Sequence, residues 1–219
     1  MAMSRFRRFL GKETRFLEQP LDVGPRALLV VGALLMAFIY FRPLWSLTMF
    51  APQYPNGLRL QIYSYKLVGG NAGQDVKEIN ILNHYIGMKP LVAEDFTEFK
   101  WIPFVVGAMA LLFLRAAVIG QISNLVDVLV LYLYFSAFSL WSFAYKMYSY
   151  GHTLAPEAPV KVPPFTPPLY GYQKIANFEI YSYPGAASYA LGAAALVLAV
   201  AAFLAFRQTR PRGEPEAQV

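Results

Sequence analysis

Apolar residues along this chain are not spaced as on the amphipathic helices of a soluble domain. They collect into four blocks of about 20 residues, over 27–47, 101–119, 125–148 and 186–206. As helices, blocks of that length cross a hydrocarbon core about 30 Å thick. The polar and mixed stretches between them are a tail over 1–26, an outer loop over 48–100, a short turn at 120–124, a second outer loop over 149–185 and a tail over 207–219. The pattern predicts an all-α membrane protein with four transmembrane helices. The two outer loops are expected to form a small mixed α/β extracytoplasmic cap.

The ends of the blocks refine this picture. Pro43 is expected to end or kink the first helix near the outer surface, because it lacks a backbone donor. Trp45 then suits the interfacial aromatic belt. The segment after Tyr40 (Phe41-Arg42-Pro43-Leu44-Trp45) does not read as a small-x-small cleavage site, so the first block reads as an uncleaved anchor. Arg115 lies near the inner end of the second span and can snorkel or pair with Asp127 in the first turn of the third. Small residues Gly185, Ala186, Ala187 and Gly192–Ala195 fit the fourth span for close helix approach. The N-terminal tail is basic. From Ser4 to Leu17 it reads as a solvated segment or as a short amphipathic surface helix.

The first outer loop opens on a turn at Pro52, Pro55, Asn56 and Gly57. Alternation from Leu58 to Leu67 predicts a strand. Gly69-Gly70-Asn71-Ala72-Gly73 is a break, and Asp75 with Glu78 has the spacing of a capping box. A helix is expected from Val76 to about Tyr85, stopped by Gly87. The second loop carries six prolines from Pro156 to Pro168, which exclude a long helix. Its apolar residues imply that it packs on the first loop or on a partner, with a short strand over 175–183.

Composition changes the picture mainly by exclusion. The chain has 219 residues, 57% hydrophobic and only 15% charged, and no cysteine. Disulfides, thiolate metal sites and cysteine nucleophiles are therefore excluded. The net charge of +6 does not point to nucleic acid, since basic residues cluster at span ends. The positive-inside rule places these clusters, and both termini, in the cytoplasm of a multi-pass protein of the inner (plasma) membrane.

Catalytic sets are missing: there is neither a Gly-rich phosphate loop nor an H-E-x-x-H motif. The chain therefore reads as a non-enzyme. His84 and Met88 are four residues apart, and on a helix continuing through Gly87 they would share a face. Imidazole with thioether suits copper, particularly the cuprous ion; otherwise the two simply pack or cap the loop. No other cofactor is indicated. Exposed aromatics are the residue type enriched at docking surfaces, which singles out Tyr85, Tyr170 and Tyr172 for partner binding, with Tyr54, Tyr63 and Tyr65 beside them.

Three strings carry a resemblance: Ala51-Pro52-Gln53-Tyr54-Pro55-Asn56-Gly57-Leu58, then Glu78-Ile79-Asn80 through Asn83-His84-Tyr85-Ile86-Gly87-Met88-Lys89, and Ile175-Ala176-Asn177-Phe178. They resemble small polytopic membrane proteins encoded with bacterial nitrous oxide reductase maturation genes. The resemblance implies an accessory role near a periplasmic copper enzyme or an electron-transfer complex. The leading expectation is a non-catalytic accessory or assembly subunit of a membrane-associated redox system, with the bilayer and other membrane subunits as its partners. Two alternatives stand beside it. One is a metal-free structural subunit of a respiratory or photosynthetic complex. The other is a small transporter or quinone-interacting subunit.

Overall fold

The computed structural model describes residues 16–175 and 177–208. The basic tail over 1–15, with most of its expected surface helix, and the tail over 209–219 lie outside the described residues. In chain order the elements are α1 (Val23–Phe38), β1 (Trp45–Ala51), β2 (Tyr54–Ile62), β3 (Leu67–Gly69), α2 (Gln74–Tyr85), α3 (Glu98–Ile119), α4 (Ile122–His152), β4 (Gly171–Ile175), β5 (Phe178–Pro184) and α5 (Ala186–Gln208). Of these, α1 (with a 3₁₀ turn to Phe41), α3, α4 and α5 are long and apolar enough to cross a membrane.

The first helix ends earlier than the apolar block does. Arg42 takes extended backbone angles, as residues before proline tend to, and Pro43 has no N–H to continue the ladder. The rest of the block, from Trp45, is strand β1. This corrects the expected helix over 27–47 and removes Trp45 from a simple interfacial belt. At the other end of the set, α4 has 31 residues. It is about 46 Å long at 1.5 Å per residue, well beyond the expected 125–148.

The chain divides into two compact units. The first takes residues up to Met36, then 107–134, then 192 onward. Its interior is built from Leu29, Phe113, Leu125, Tyr132 and Leu198, all fully buried. The Phe113 ring meets Tyr132 edge-on at 6.2 Å. Arg26 closes the C-terminal end of α3: its guanidinium donates to the carbonyls of Ala117 (2.7 Å) and Val118 (3.0 Å), which lack helical partners. The expected pairing of Arg115 with Asp127 is not formed. Arg115 donates instead to Asn124 Oδ1 at 2.8 Å, and Asp127 is exposed.

The second unit, residues 37–106 and 135–191, holds an antiparallel five-stranded sheet of order β3-β2-β1-β5-β4. Strand β1 is its centre, paired with β2 on one side (Leu47 opposite Leu60) and β5 on the other (Leu47 opposite Ser182). Both expected outer loops are thus sewn into one sheet. A two-residue turn, Pro52-Gln53, joins β1 to β2, and Pro55–Gly57 form a bulge in β2 rather than part of the turn. The single strand expected over 58–67 is interrupted. The chain reverses at Tyr63–Lys66, where the Lys66 ammonium lies 5.4 and 5.1 Å from the Tyr63 and Tyr65 ring centres. The strand expected over 175–183 is a hairpin, β4 with β5.

Helix α2 is fastened to this sheet by Asp75. Asp75 is not the N-cap of a capping box; Gly73, in a left-handed conformation, holds that position. The Asp75 carboxylate is buried and accepts from the Arg59 backbone N–H (2.8 Å) and the Asn71 amide (2.7 Å). Gly70 makes room for it, since a Cβ there would come within 2.3 Å of Asp75 Oδ2.

Candidate functional site

The sheet register sorts side chains onto two faces. On one lie Leu47 and Met49 of β1, Leu58 and Leu60 of β2, and Ile180 and Ser182 of β5. This face is covered: Leu58, Leu60 and Ala51 form one core cluster with Ile79 and Leu82 of α2. Its polar member is satisfied, as Ser182 Oγ accepts from Trp45 Nε1 at 2.8 Å.

The other face is open and differently made. Phe50, Arg59, Gln61, Tyr172, Lys174, Glu179, Tyr181 and Tyr183 lie on it by register. Its rings touch one another. Tyr181 meets Phe50 edge-on at 5.7 Å and Tyr172 at 5.0 Å, and Tyr170 meets Tyr183 at 5.5 Å. Tyr170, Tyr172 and Tyr183 remain exposed. Burial among these rings, with the Glu179 carboxylate next, raises the Tyr181 phenol above its ordinary pKa. The face is therefore neutral in its aromatic part, with Arg59, Lys174 and Glu179 around it. At one end it falls into a hollow of ≈ 340 Å³ lined by Phe50, Ala51, Pro52, Lys174, Asn177 and Glu179.

Two of the three tyrosines expected to bind a partner, Tyr170 and Tyr172, thus belong to one surface. The third does not: Tyr85 is exposed at the end of α2, the helix on the covered face. Phe50, Tyr181 and Tyr183 complete the open face. The alternation Phe178-Glu179-Ile180-Tyr181-Ser182-Tyr183 carried the signal for the two tyrosines. Phe50 was hidden between the expected end of the first span at 47 and the turn from Pro52, where no element was expected.

The shared helical face expected for His84 and Met88 does not form. Gly87 adopts φ +78°, its N–H bonds the His84 carbonyl (3.2 Å), and the Met88 N–H bonds the Asn83 carbonyl (2.8 Å). This is a Schellman ending, in which the helix stops and the chain turns away. His84 is exposed and Met88 half-buried. Among the described residues, no three of His, Asp and Glu gather where they could hold a metal ion. The Gly87 turn instead receives the second loop, as Ala155 N–H donates to the Gly87 carbonyl and Val160 N–H to the Tyr85 carbonyl. The proline-rich segment therefore packs on the first loop.

One charge cluster was not anticipated. Glu98, at the start of α3, accepts from Ser142 at 2.9 Å and pairs with Lys146 of α4 at 3.4 Å; Lys146 also donates to the Asp95 carbonyl. It joins two helices and leaves neither charge unpaired, which is a structural use of both residues.

Comparison with protein-family models, curated proteins and solved structures finds no match to this chain.

Proposed function

We propose that this chain is a non-catalytic accessory or assembly subunit of a membrane-associated redox system, and that it docks its partner through the open face of the sheet. Its four long apolar helices would hold it in the inner membrane. With four crossings, the segments carrying β1–β3 and β4–β5 fall on the same side, and the basic termini and the α3–α4 turn fall on the other. Positive-inside bias makes that second side the cytoplasm.

The observation that carries the docking reading is the contrast in the sheet. One face is closed by aliphatic packing, while the other keeps a contiguous group of tyrosines in contact with each other and with solvent. Tyrosine offers large contact area with a polar tip and is enriched at interfaces. The redox assignment rests on the resemblance of the three sequence strings. Copper contact by His84 and Met88 no longer has helical geometry behind it and rests on the donor types alone.

Gentle purification from native membranes, with protein identification and metal analysis on one sample, tests this. Subunits of a redox enzyme or its maturation apparatus should accompany the wild-type protein. They should be lost from a Tyr172→Ala/Tyr181→Ala variant that remains folded. Undiminished co-purification with the double variant would remove the open face from the docking role. Copper bound to the wild type and lost in His84→Ala would restore the metal reading. A constant ratio to a large, metal-independent complex would favour the structural-subunit alternative.

A further inference from the structure

The outer half of α4 presents a line of aromatics that its own chain covers only in part, Phe138 also meeting Trp101 of α3 at 5.2 Å. Phe138, Trp141, Tyr145 and Tyr148 are 43, 60, 60 and 51% exposed, and His152, also exposed, continues the line. The intervals are 3, 4, 3 and 4 residues. That is the spacing of a two-helix seam, in which alternate steps of three and four keep one stripe facing a neighbouring helix. The rings touch in two groups along the line. Phe138 lies 5.7 Å from Trp141, Trp141 stacks on Tyr145 at 5.7 Å, and Tyr148 stacks on His152 at 3.8 Å.

An interfacial aromatic belt does not account for this line. From Phe138 to His152 it is about 21 Å long at 1.5 Å per residue. The headgroup layer on one side of a bilayer is only about 5–8 Å deep. The helix is also longer than a span needs. It begins at Ile122, immediately after the α3–α4 turn, so about 20 residues bring it across the hydrocarbon. Tyr145, Tyr148 and His152 then stand at or beyond the outer boundary, where lipid tails cannot cover them.

We infer that this seam is the contact between two copies of the chain, α4 against α4 in parallel. The inference rests on the four-span reading, because copies inserted in one membrane share one orientation. A twofold pairing then sets each seam position against itself. That pairing meets no charge conflict, since no seam residue from Phe138 to Tyr148 is charged. The nearby ammonium of Lys146 is directed instead to Glu98 and the Asp95 carbonyl of its own chain. At about 200 Å² per aromatic side chain, the four exposed rings offer roughly 400 Å² per copy. The pair therefore offers about 800 Å², close to the roughly 1,000 Å² expected of a specific interface.

The chain contains no cysteine, so single cysteine variants report contacts without background. In proteoliposomes holding only this protein, mild oxidation should link Tyr145→Cys and, independently, Phe138→Cys into a species of twice the 24.6 kDa chain mass. Leu140→Cys, also exposed but about 100° around the helix from Trp141, should stay monomeric. Light scattering of the wild-type protein in mild detergent should give the dimer mass. Equal linking at all three positions, or no linking with a monomer mass by scattering, overturns the pairing. Linking only to a different polypeptide in native membranes overturns it as well. Alkaline carbonate extraction separates the two readings. Retention in the membrane without linking defeats the pairing alone, whereas release defeats the four-span reading and the pairing with it.

Discussion

The two faces of the five-stranded sheet come from the same strands, often from adjacent residues, yet they differ in make-up and in what covers them. Leu47, Met49, Leu58 and Leu60 point to α2 and make a dry aliphatic layer. Phe50, Tyr172, Tyr181 and Tyr183, one step away in register, make an aromatic layer that nothing in the described chain covers completely. Period-two alternation is what allows one strand to do both. The difference teaches where stability and recognition should separate. Changes on the covered face should cost folding free energy, and changes on the open face should cost binding.

The strongest way to break that division is Leu60→Ala. It removes a fully packed side chain between β2 and α2 and should destabilise the cap by about 2–5 kcal/mol. Hydrogen-exchange protection of β1 and β2 amides should fall accordingly. Asp75→Ala comes next. It leaves the Arg59 N–H and the Asn71 amide without an acceptor, and the loss should be about 1–3 kcal/mol. Asp75→Asn should recover only part of this, because an amide offers one acceptor oxygen where the carboxylate offers two. Both are measured by thermal unfolding in detergent.

Tyr172→Ala should move stability by no more than about 0.5 kcal/mol while, on the proposed docking role, weakening partner capture. A large loss of folding stability there would erase the distinction between the faces.

The smallest effect concerns acid. Glu78 on α2 is held below its ordinary pKa of 4.5, first by the Tyr54 hydroxyl and then by the Gln74 amide. A carboxylate that ionises more readily when folded adds stability above its unfolded pKa. That contribution is lost as pH falls through the lowered value. Unfolding midpoints should therefore drop slightly below pH 4.5 in the wild type, and the Glu78→Gln variant should lack that component.

Much of the helical plan was legible because 20-residue apolar blocks have few other physical uses. The end of α2 was legible too, since Gly87 supplies the left-handed residue that a helix ending takes most easily. The central strand was not. Trp45-Ser46-Leu47-Thr48-Met49-Phe50 continues an apolar run, and a half-buried strand cannot be told from the end of a span by hydropathy alone. Pro43 was the visible marker of the change. The turn at Tyr63–Lys66 lacks glycine, proline and asparagine, so alternation ran through it unbroken. The open face could not be seen as a surface, because it depends on which residue of β5 lies opposite which residue of β1. That register is set by segments more than a hundred residues apart.

That separation also sets an order of events. During synthesis β1 and β2 emerge early and can close their hairpin. The other side of β1 stays without a partner until α3 and α4 have been made and β5 follows them. At about 5–20 residues per second, the wait is on the order of ten seconds. With the four apolar helices crossing a membrane as proposed, completion of the sheet would be a record of insertion. In that reading a chain whose α3 or α4 failed to enter the bilayer would leave β5 on the wrong side, β1 half paired, and the tyrosine surface unmade.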